Sequence, residues 1–433
     1  MRILIKNGII VTHREEKRQN ILVEDGIITA IEEELDADSE QVIDAKGCYV
    51  LPGLVDAHCH LRDPGYEYKE DIKSGTMSAA YGGFTSVACM ANTNPVADNK
   101  AIIRYIIDKA TKEGYVNVFP IGAMTKGQLG EELAEIGEMK ETGIVGVSDD
   151  GHSVINSSVM RKVMQYAKMF DVAVICHSED SDLAEGGVMN EGALSTMMGL
   201  RGISKACEEI MIARDIILSE RTQVPVHICH VSTALGVDLI RNAKERGVRV
   251  TAETCPHYFT LTESSCEGYN TMAKVNPPLR NEEDVEAVIK GLIDGTVDII
   301  ATDHAPHHDD EKNVEFDKAA NGIVGFETAL ALSYTALVLT GKLSMCELVW
   351  KLCKGPADIL KIDKGELAVG KSADITIFDP STSYKIDVTK LVSKSKNSPY
   401  HGYPVTGKVD TTIVGGKIIV QGGKLADIFL QGK

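Results

Sequence analysis

No run of about 18 apolar residues, the length a membrane-spanning helix needs, occurs in this chain. The first residues, Met-Arg-Ile-Leu-Ile-Lys, hold too short an apolar stretch for a signal peptide. Low-complexity tracts and linker-like runs are missing too, which excludes disorder as the organising principle. Positive charge is in deficit: 45 Lys and Arg against 63 Asp and Glu leave a formal net charge of -18. Such a balance argues against a phosphate-backbone partner and favours solubility. The ten cysteines form no Cys-x-x-Cys pair, and several sit in apolar runs such as Val-Ile-Cys176 and His-Ile-Cys229, where cysteine acts as a small hydrophobe. Together these absences predict a cytoplasmic protein in a reducing compartment, with a small-molecule substrate and neither a nucleic-acid nor a membrane partner.

What is present is a count of eight. Short apolar, β-branched runs occur at 54–60, 84–90, 116–122, 143–148, 172–177, 224–230, 248–254 and 297–303. Stretches with helical periodicity separate most of them, at 99–112, 157–169, 205–219, 234–246 and 283–292. Eight strands alternating for the most part with helices specify a (β/α)8 barrel, and 433 residues are enough for that barrel plus one small domain. Barrel enzymes keep their chemistry at the C-terminal ends of the strands. Here those ends carry His58 and His60, Asn92, Asp150, His177, His230, Glu253 and Asp303. Both chain ends read differently, as short strands and turns: 3–6, 8–12, 21–23, 27–32 and 42–44 at the start, and 373–378, 412–414 and 417–420 at the end. The expected organisation is a small β-sandwich domain built from 1–51 and 363–433 around a barrel of 52–362.

The densest motif is Asp56-Ala-His58-Cys-His60-Leu-Arg62-Asp63-Pro64-Gly65. Spacing of i, i+2, i+4 on a strand puts His58, His60 and Arg62 on one face, where two imidazoles can share a metal and a guanidinium can grip a carboxylate. His177 and His230, at the ends of the fifth and sixth strands, add two nitrogen ligands. His227, three residues before His230, is expected to point outward and to be structural. Asp303 can bind a metal and accept a proton from the attacking water. A close metal pair also wants an anionic bridge from the fourth strand, where Asp149 and Asp150 are adjacent. Asp150 is the choice and Asp149 the hydrogen-bonding or capping residue, although alternation alone leaves both open. Asn92, in a polar turn, and Asn276, held extended before Pro-Pro, are candidate substrate contacts, with simple turns as the alternative.

These motifs, together with Ser148-Asp149-Asp150-Gly151, Asn276-Pro-Pro-Leu-Arg280 and Thr302-Asp303-His304-Ala-Pro-His307, resemble the class I dihydroorotases of bacteria, within the amidohydrolase superfamily. The likeness runs along nearly the whole chain. It implies reversible, zinc-dependent closure of N-carbamoyl-L-aspartate to L-dihydroorotate with loss of water, a step of pyrimidine synthesis. His58 and His60 would hold one zinc, His177 and His230 the other, Asp150 would bridge, and Asp303 would be ligand and proton shuttle for a metal-bridged hydroxide. His60, Arg62, Asn92, Asn276 and His307 would contact substrate, with Asn321 and Gly322 adding backbone contacts. A homodimer and association with aspartate transcarbamoylase are further expectations from the resemblance. Two departures stand out. No carboxylatable lysine follows the fourth strand, which fits this class but leaves the second zinc open to partial occupancy, and Ala91 stands where the family often has proline. Hydantoinases, dihydropyrimidinases and allantoinases share the scaffold but act on rings without this carboxylate, against which Arg62 argues. An inactive scaffold of the same fold would lack ligands that are all present here. The acidic, glycine-containing segment 304–322 is the candidate for a mobile lid.

Overall fold

Strands that are apolar on both faces must be covered on both, and the computed structural model, which describes residues 2–35 and 37–426, does so by closing them into a barrel. Strands β1 (Leu54–Cys59), β2 (Phe84–Cys89), β3 (Asn117–Gly122), β4 (Gly146–Val147), β5 (Ala173–Cys176), β6 (Val226–Ile228), β7 (Val250–Thr254) and β8 (Ile299–Ile300) are parallel neighbours in chain order. The ring closes just beyond β8. The Thr302 N–H donates to Asp56 Oδ1 at 2.9 Å, and the His60 N–H donates to the His304 carbonyl at 2.9 Å. Inside, Ala57, Ala88, Met90, Ile121, Ile175, Cys229 and Ile299 form one apolar layer. Outside, Val87, Val147, Val174, Ile228 and Ile300 share a core with residues of the surrounding helices.

Those helices include α1 (Ile72–Tyr81), α2 (Lys100–Glu113), α3 (Ile136–Thr142), α4 (Ser157–Met169), α5 (Ala206–Thr222), α6 (Ala234–Glu245), α7 (Glu282–Asp294) and α8 (Phe326–Ser333). Asp71, Asn99, Asn156, Thr233 and Asn281 start five of them, each side chain accepting from a first-turn N–H that would otherwise lack a partner. The eight strands and the long helices fall where the hydrophobic runs put them. Among the described residues no helix is long and apolar enough to cross a membrane.

Both chain ends do build one β-sandwich. A four-stranded sheet comes from the start of the chain: Ile27–Glu32, Asn20–Glu24, Arg2–Lys6 and Gln41–Asp44, in spatial order. A seven-stranded sheet mixes the ends, with Ile375–Lys385 pairing antiparallel to Tyr49–Pro52. Ile3, Ile5, Ile21 and Val23 of one sheet pack in a common core with Val50, Ile375, Ile377 and Ile413 of the other. Gly415 and Gly416, at φ 53° and 73°, make the two-residue turn between Pro404–Val414 and Lys417–Gln421, which needs positive φ at both positions. Strands not expected from sequence include Glu16–Arg18 and Tyr49–Pro52. The first is exposed at every position, so no apolar alternation marks it. The second runs almost directly into β1 and reads as part of the same apolar run.

Candidate functional site

The C-terminal ends of the barrel strands bring four imidazoles and two carboxylates to one point. His58 lies on β1, His60 just past it, Asp150 past β4, His177 and His230 directly after β5 and near the end of β6, and Asp303 past β8. Asp150 sits among the histidines. Its Oδ1 is 3.4 Å from His58 Nε2 and 3.5 Å from both His177 Nδ1 and His230 Nε2, and its Oδ2 is 3.4 Å from His60 Nε2. Asp303 Oδ1 stands 3.1 Å from His60 Nε2 and 3.5 Å from His58 Nε2. Ligand atoms held about 2.0–2.1 Å from a tetrahedral ion stand about 3.3 Å from one another, so most of these spacings match donors sharing a cation better than donors bonded to each other. His177 Nδ1 and His230 Nε2 are closer, at 2.8 Å. His58 Nε2 and Asp150 Oδ1 are buried without a hydrogen-bond partner, an expense that a bound cation removes. His58, His60 and Asp303 form one ligand group, and Asp150, His177 and His230 form another.

Three of the four histidines are aimed by a second residue. His58 Nδ1 meets Glu253 Oε1 at 2.6 Å, His60 Nδ1 meets Asn92 Oδ1 at 2.8 Å, and His177 Nε2 meets Glu179 Oε2 at 3.1 Å. Holding one ring nitrogen fixes the tautomer and turns the other toward the centre. Burial alone would raise the carboxyls of Glu253 and Glu179, yet His58 and His227 hold the first far below its ordinary value and His177 holds the second at about 2. Likewise burial disfavours charge on His58, but Asp150 and Glu253 raise it well above 6.5. The carboxylates thus draw positive charge into a buried cluster, and divalent cations would supply that charge in place of protons. A third group, His58, Asp150 and Cys229, is also compact. Burial pushes the Cys229 thiol well above its ordinary range, so it stays protonated in the apolar layer.

Asp149 turns away from the cluster. Its Oδ1 accepts from the Met124 N–H at 2.7 Å and the Thr125 N–H at 3.2 Å, while Oδ2 accepts from the Thr125 hydroxyl. His227 corrects an expectation. It is 2% exposed, with Nε2 3.0 Å from Glu253 Oε2 and Nδ1 2.9 Å from Thr251 Oγ1, and so extends the chain His58–Glu253 inside the protein. Counting back from His230 fails because His230 has φ 34° and breaks the strand's alternation. Arg62 is similar: β1 ends at Cys59 and Arg62 has φ 62°, so a turn and not the strand repeat delivers it.

Delivered it is, nonetheless, to the same place. A cavity of about 260 Å³ is lined by His60, Arg62, Asn92, Asp150, His177, His230, Asn276, Asp303, His307, Asn321 and Gly322, together with Gly151 and Ala305. His58 lies behind this wall. Arg62 Nε donates to the Pro306 carbonyl at 3.1 Å, and its terminal nitrogen is 3.2 Å from His307 Nε2. Burial pushes the His307 imidazole down to about 4, so the ring is neutral near pH 7 and accepts from Arg62. Asn276 Nδ2 donates to Glu179 Oε2, which ties the substrate-side turn to the orienting partner of His177. Asn92 spends its carbonyl oxygen on His60. Glu253 and Glu179 were not assigned roles from sequence. The available signal was their place, Glu253 on β7 and Glu179 two residues past His177.

Comparison with known proteins agrees with this geometry. A family model described as dihydro-orotase-like matches residues 47–235. A dihydroorotase of Acetivibrio thermocellus is 62% identical over 96% of this chain and 99% of its own length, and one of Ruminiclostridium cellulolyticum is 60% identical over 97% and 99%. Among solved structures, an L-hydantoinase from Arthrobacter aurescens superposes with a TM-score of 0.90 at 27% identity, covering 98% of this chain and 97% of that one. A dihydropyrimidinase from Brevibacillus agri gives 0.87 at 25% identity, covering 98% and 96%.

Proposed function

The chain belongs to the dihydroorotase family, and from that premise we propose how its cavity opens and closes the ring of L-dihydroorotate. The observation that carries the reading is one juxtaposition: a half-buried guanidinium, Arg62, lines the same cavity as the histidine and aspartate cluster. The substrate's carboxylate meets the Arg62 fork by paired, charge-assisted hydrogen bonds, which fixes the ring's position. Two divalent cations, zinc in our reading, held by His58, His60 and Asp303 and by His177 and His230 with Asp150 between them, would polarise the ring carbonyl and make water acidic enough to attack near neutral pH.

In the opening direction water adds its oxygen to the ring carbonyl carbon and the amide C–N bond breaks. Asp303 takes the proton of the attacking water and delivers it to the departing ring nitrogen. Closure is the reverse. Asn276 and the Asn321–Gly322 backbone border the remaining edges of the ring. Because opening yields a carboxylic acid that ionises, alkaline conditions pull toward N-carbamoyl-L-aspartate and acidic ones toward the ring.

The fold is shared with hydantoinases and dihydropyrimidinases, so substrate choice is the test. L-Dihydroorotate, dihydrouracil, hydantoin and allantoin are assayed in parallel with wild type and Arg62→Ala. Turnover confined to dihydroorotate, lost in Arg62→Ala by about 100-fold or more in kcat/KM with cation content unchanged, is expected for a charge-assisted contact in the cavity wall. Unchanged kinetics in Arg62→Ala would remove the assigned role.

A further inference from the structure

Lys312 is the one lysine with no solvent exposure among the described residues, and it makes no ion pair among them. It ends the short helix Asp309–Lys312 within the segment that follows Asp303. Its ammonium donates instead to three backbone carbonyls: Ala320 at 2.7 Å, Gly322 at 3.2 Å and Lys274 at 3.3 Å. Burial, with Lys274 nearby, pushes its pKa down to about 7, while the three carbonyl dipoles favour the charged form. An ammonium buried without a counter-ion is costly and persists where position demands it.

The three carbonyls belong to two segments that each supply residues to the cavity wall, Asn276 from one and Asn321 and Gly322 from the other. Lys274 lies two residues before Asn276, and Ala320 and Gly322 flank Asn321. The Gly322 N–H also donates to the Lys274 carbonyl at 2.9 Å, so the two segments meet at this point. Gly322 is held from its other side by Asn397, whose Nδ2 bonds the carbonyls of Gly322 and Ala305 at 3.0 Å each while Oδ1 accepts from the His307 N–H. A Cβ at Gly322, which has φ 142°, would fall 2.7 Å from the Ala305 carbonyl oxygen and 3.1 Å from the His307 ring. A side chain at this position would therefore clash.

We propose that Lys312 is a positioning residue for the substrate, its ammonium fixing the distance between the turn that presents Asn276 and the Asn321–Gly322 edge. The inference deepens the reading of the cavity as the dihydroorotate site and rests on it. Lys312 touches no metal ligand, so its removal should loosen substrate binding and leave the metal centre intact.

The test is steady-state opening of L-dihydroorotate by zinc-loaded wild type and Lys312→Met, with cation content and thermal unfolding measured on the same samples. The expected result is a KM raised about tenfold, kcat within about threefold of wild type, and unchanged cation content. Combined with Asn276→Ala, the KM effects should be less than multiplicative, because each removes the same positioned contact. If Lys312→Met does not fold, Lys312→Gln, which keeps an N–H donor near the Ala320 carbonyl, should show the same split at smaller size. A wild-type KM in a folded variant, or equal losses in kcat, KM and cation content, would overturn the role of Lys312. No wild-type turnover of dihydroorotate would instead overturn the reading of the cavity, and the proposal with it.

Discussion

Among the described residues of the terminal β-sandwich, left-handed backbone is confined to glycines and to Asn7 and Asp25, residue types that tolerate it in turns. At the mouth of the barrel the same conformation falls on Arg62, His230 and Asp303, with φ of 62°, 34° and 45°. All three line the cavity. A non-glycine residue held there costs on the order of 1–3 kcal/mol, and Arg and His lack the local compensation that Asn has. The sandwich therefore uses irregular backbone to turn corners, whereas the mouth uses it to aim side chains. What holds the aimed residues is a shell of buried and half-buried partners, with Glu253, Glu179, Asn92 and Lys312 each fixing a group that faces the centre. The regular barrel beneath supplies the rigidity.

That contrast can be broken most severely at Asp303. Asp303→Asn keeps a side chain that accepts left-handed backbone but loses the proton carrier. It should lower kcat by about a thousandfold with a near wild-type unfolding temperature. Turnover within tenfold of wild type would end the shuttle assignment. The two adjacent carboxylates sharpen the division between aiming and supporting. Asp150→Ala should lower bound cations per chain, whereas Asp149→Ala should retain them and lose about 1–3 kcal/mol of stability by stranding the Met124 and Thr125 N–H groups. Cation analysis and denaturant unfolding on both variants decide this, and the reverse order contradicts it.

Glu253→Gln tests whether a residue that touches no substrate sets the centre. Competition with a chelator should show cation affinity reduced about 10–100-fold, because His58 loses its charged orienting partner. The smallest effect belongs to the sandwich. Ile377 is buried between its sheets, and Ile377→Val should cost about 1 kcal/mol in unfolding while leaving kcat/KM unaltered. A changed kcat/KM there would mean that the two regions are coupled after all.

The same contrast explains what could be read from the residues. Eight apolar runs and the helical stretches between them obey fixed periods, so the barrel and the two-ended sandwich were legible, and the four histidines expected at strand ends do fall into compact groups. Where the backbone leaves its period, reading failed. His227 was placed facing outward because the alternation was counted through His230, whereas Arg62 does reach the expected cavity, by a turn and not by the strand repeat. Glu253 acts through His58, 195 residues away, and no local pattern marks such a pair, whereas Glu179 and Lys312 lie near their partners in loops whose geometry no period encodes. Glu16–Arg18 is exposed throughout and carries no hydrophobic signal.

The most direct test of the central claim is ultraviolet-monitored opening of L-dihydroorotate by protein stripped of cations with a chelator and then reloaded stepwise with zinc. Loss of activity on stripping and its return as the histidine and aspartate cluster refills are the predicted result. Undiminished turnover by fully stripped protein would contradict it.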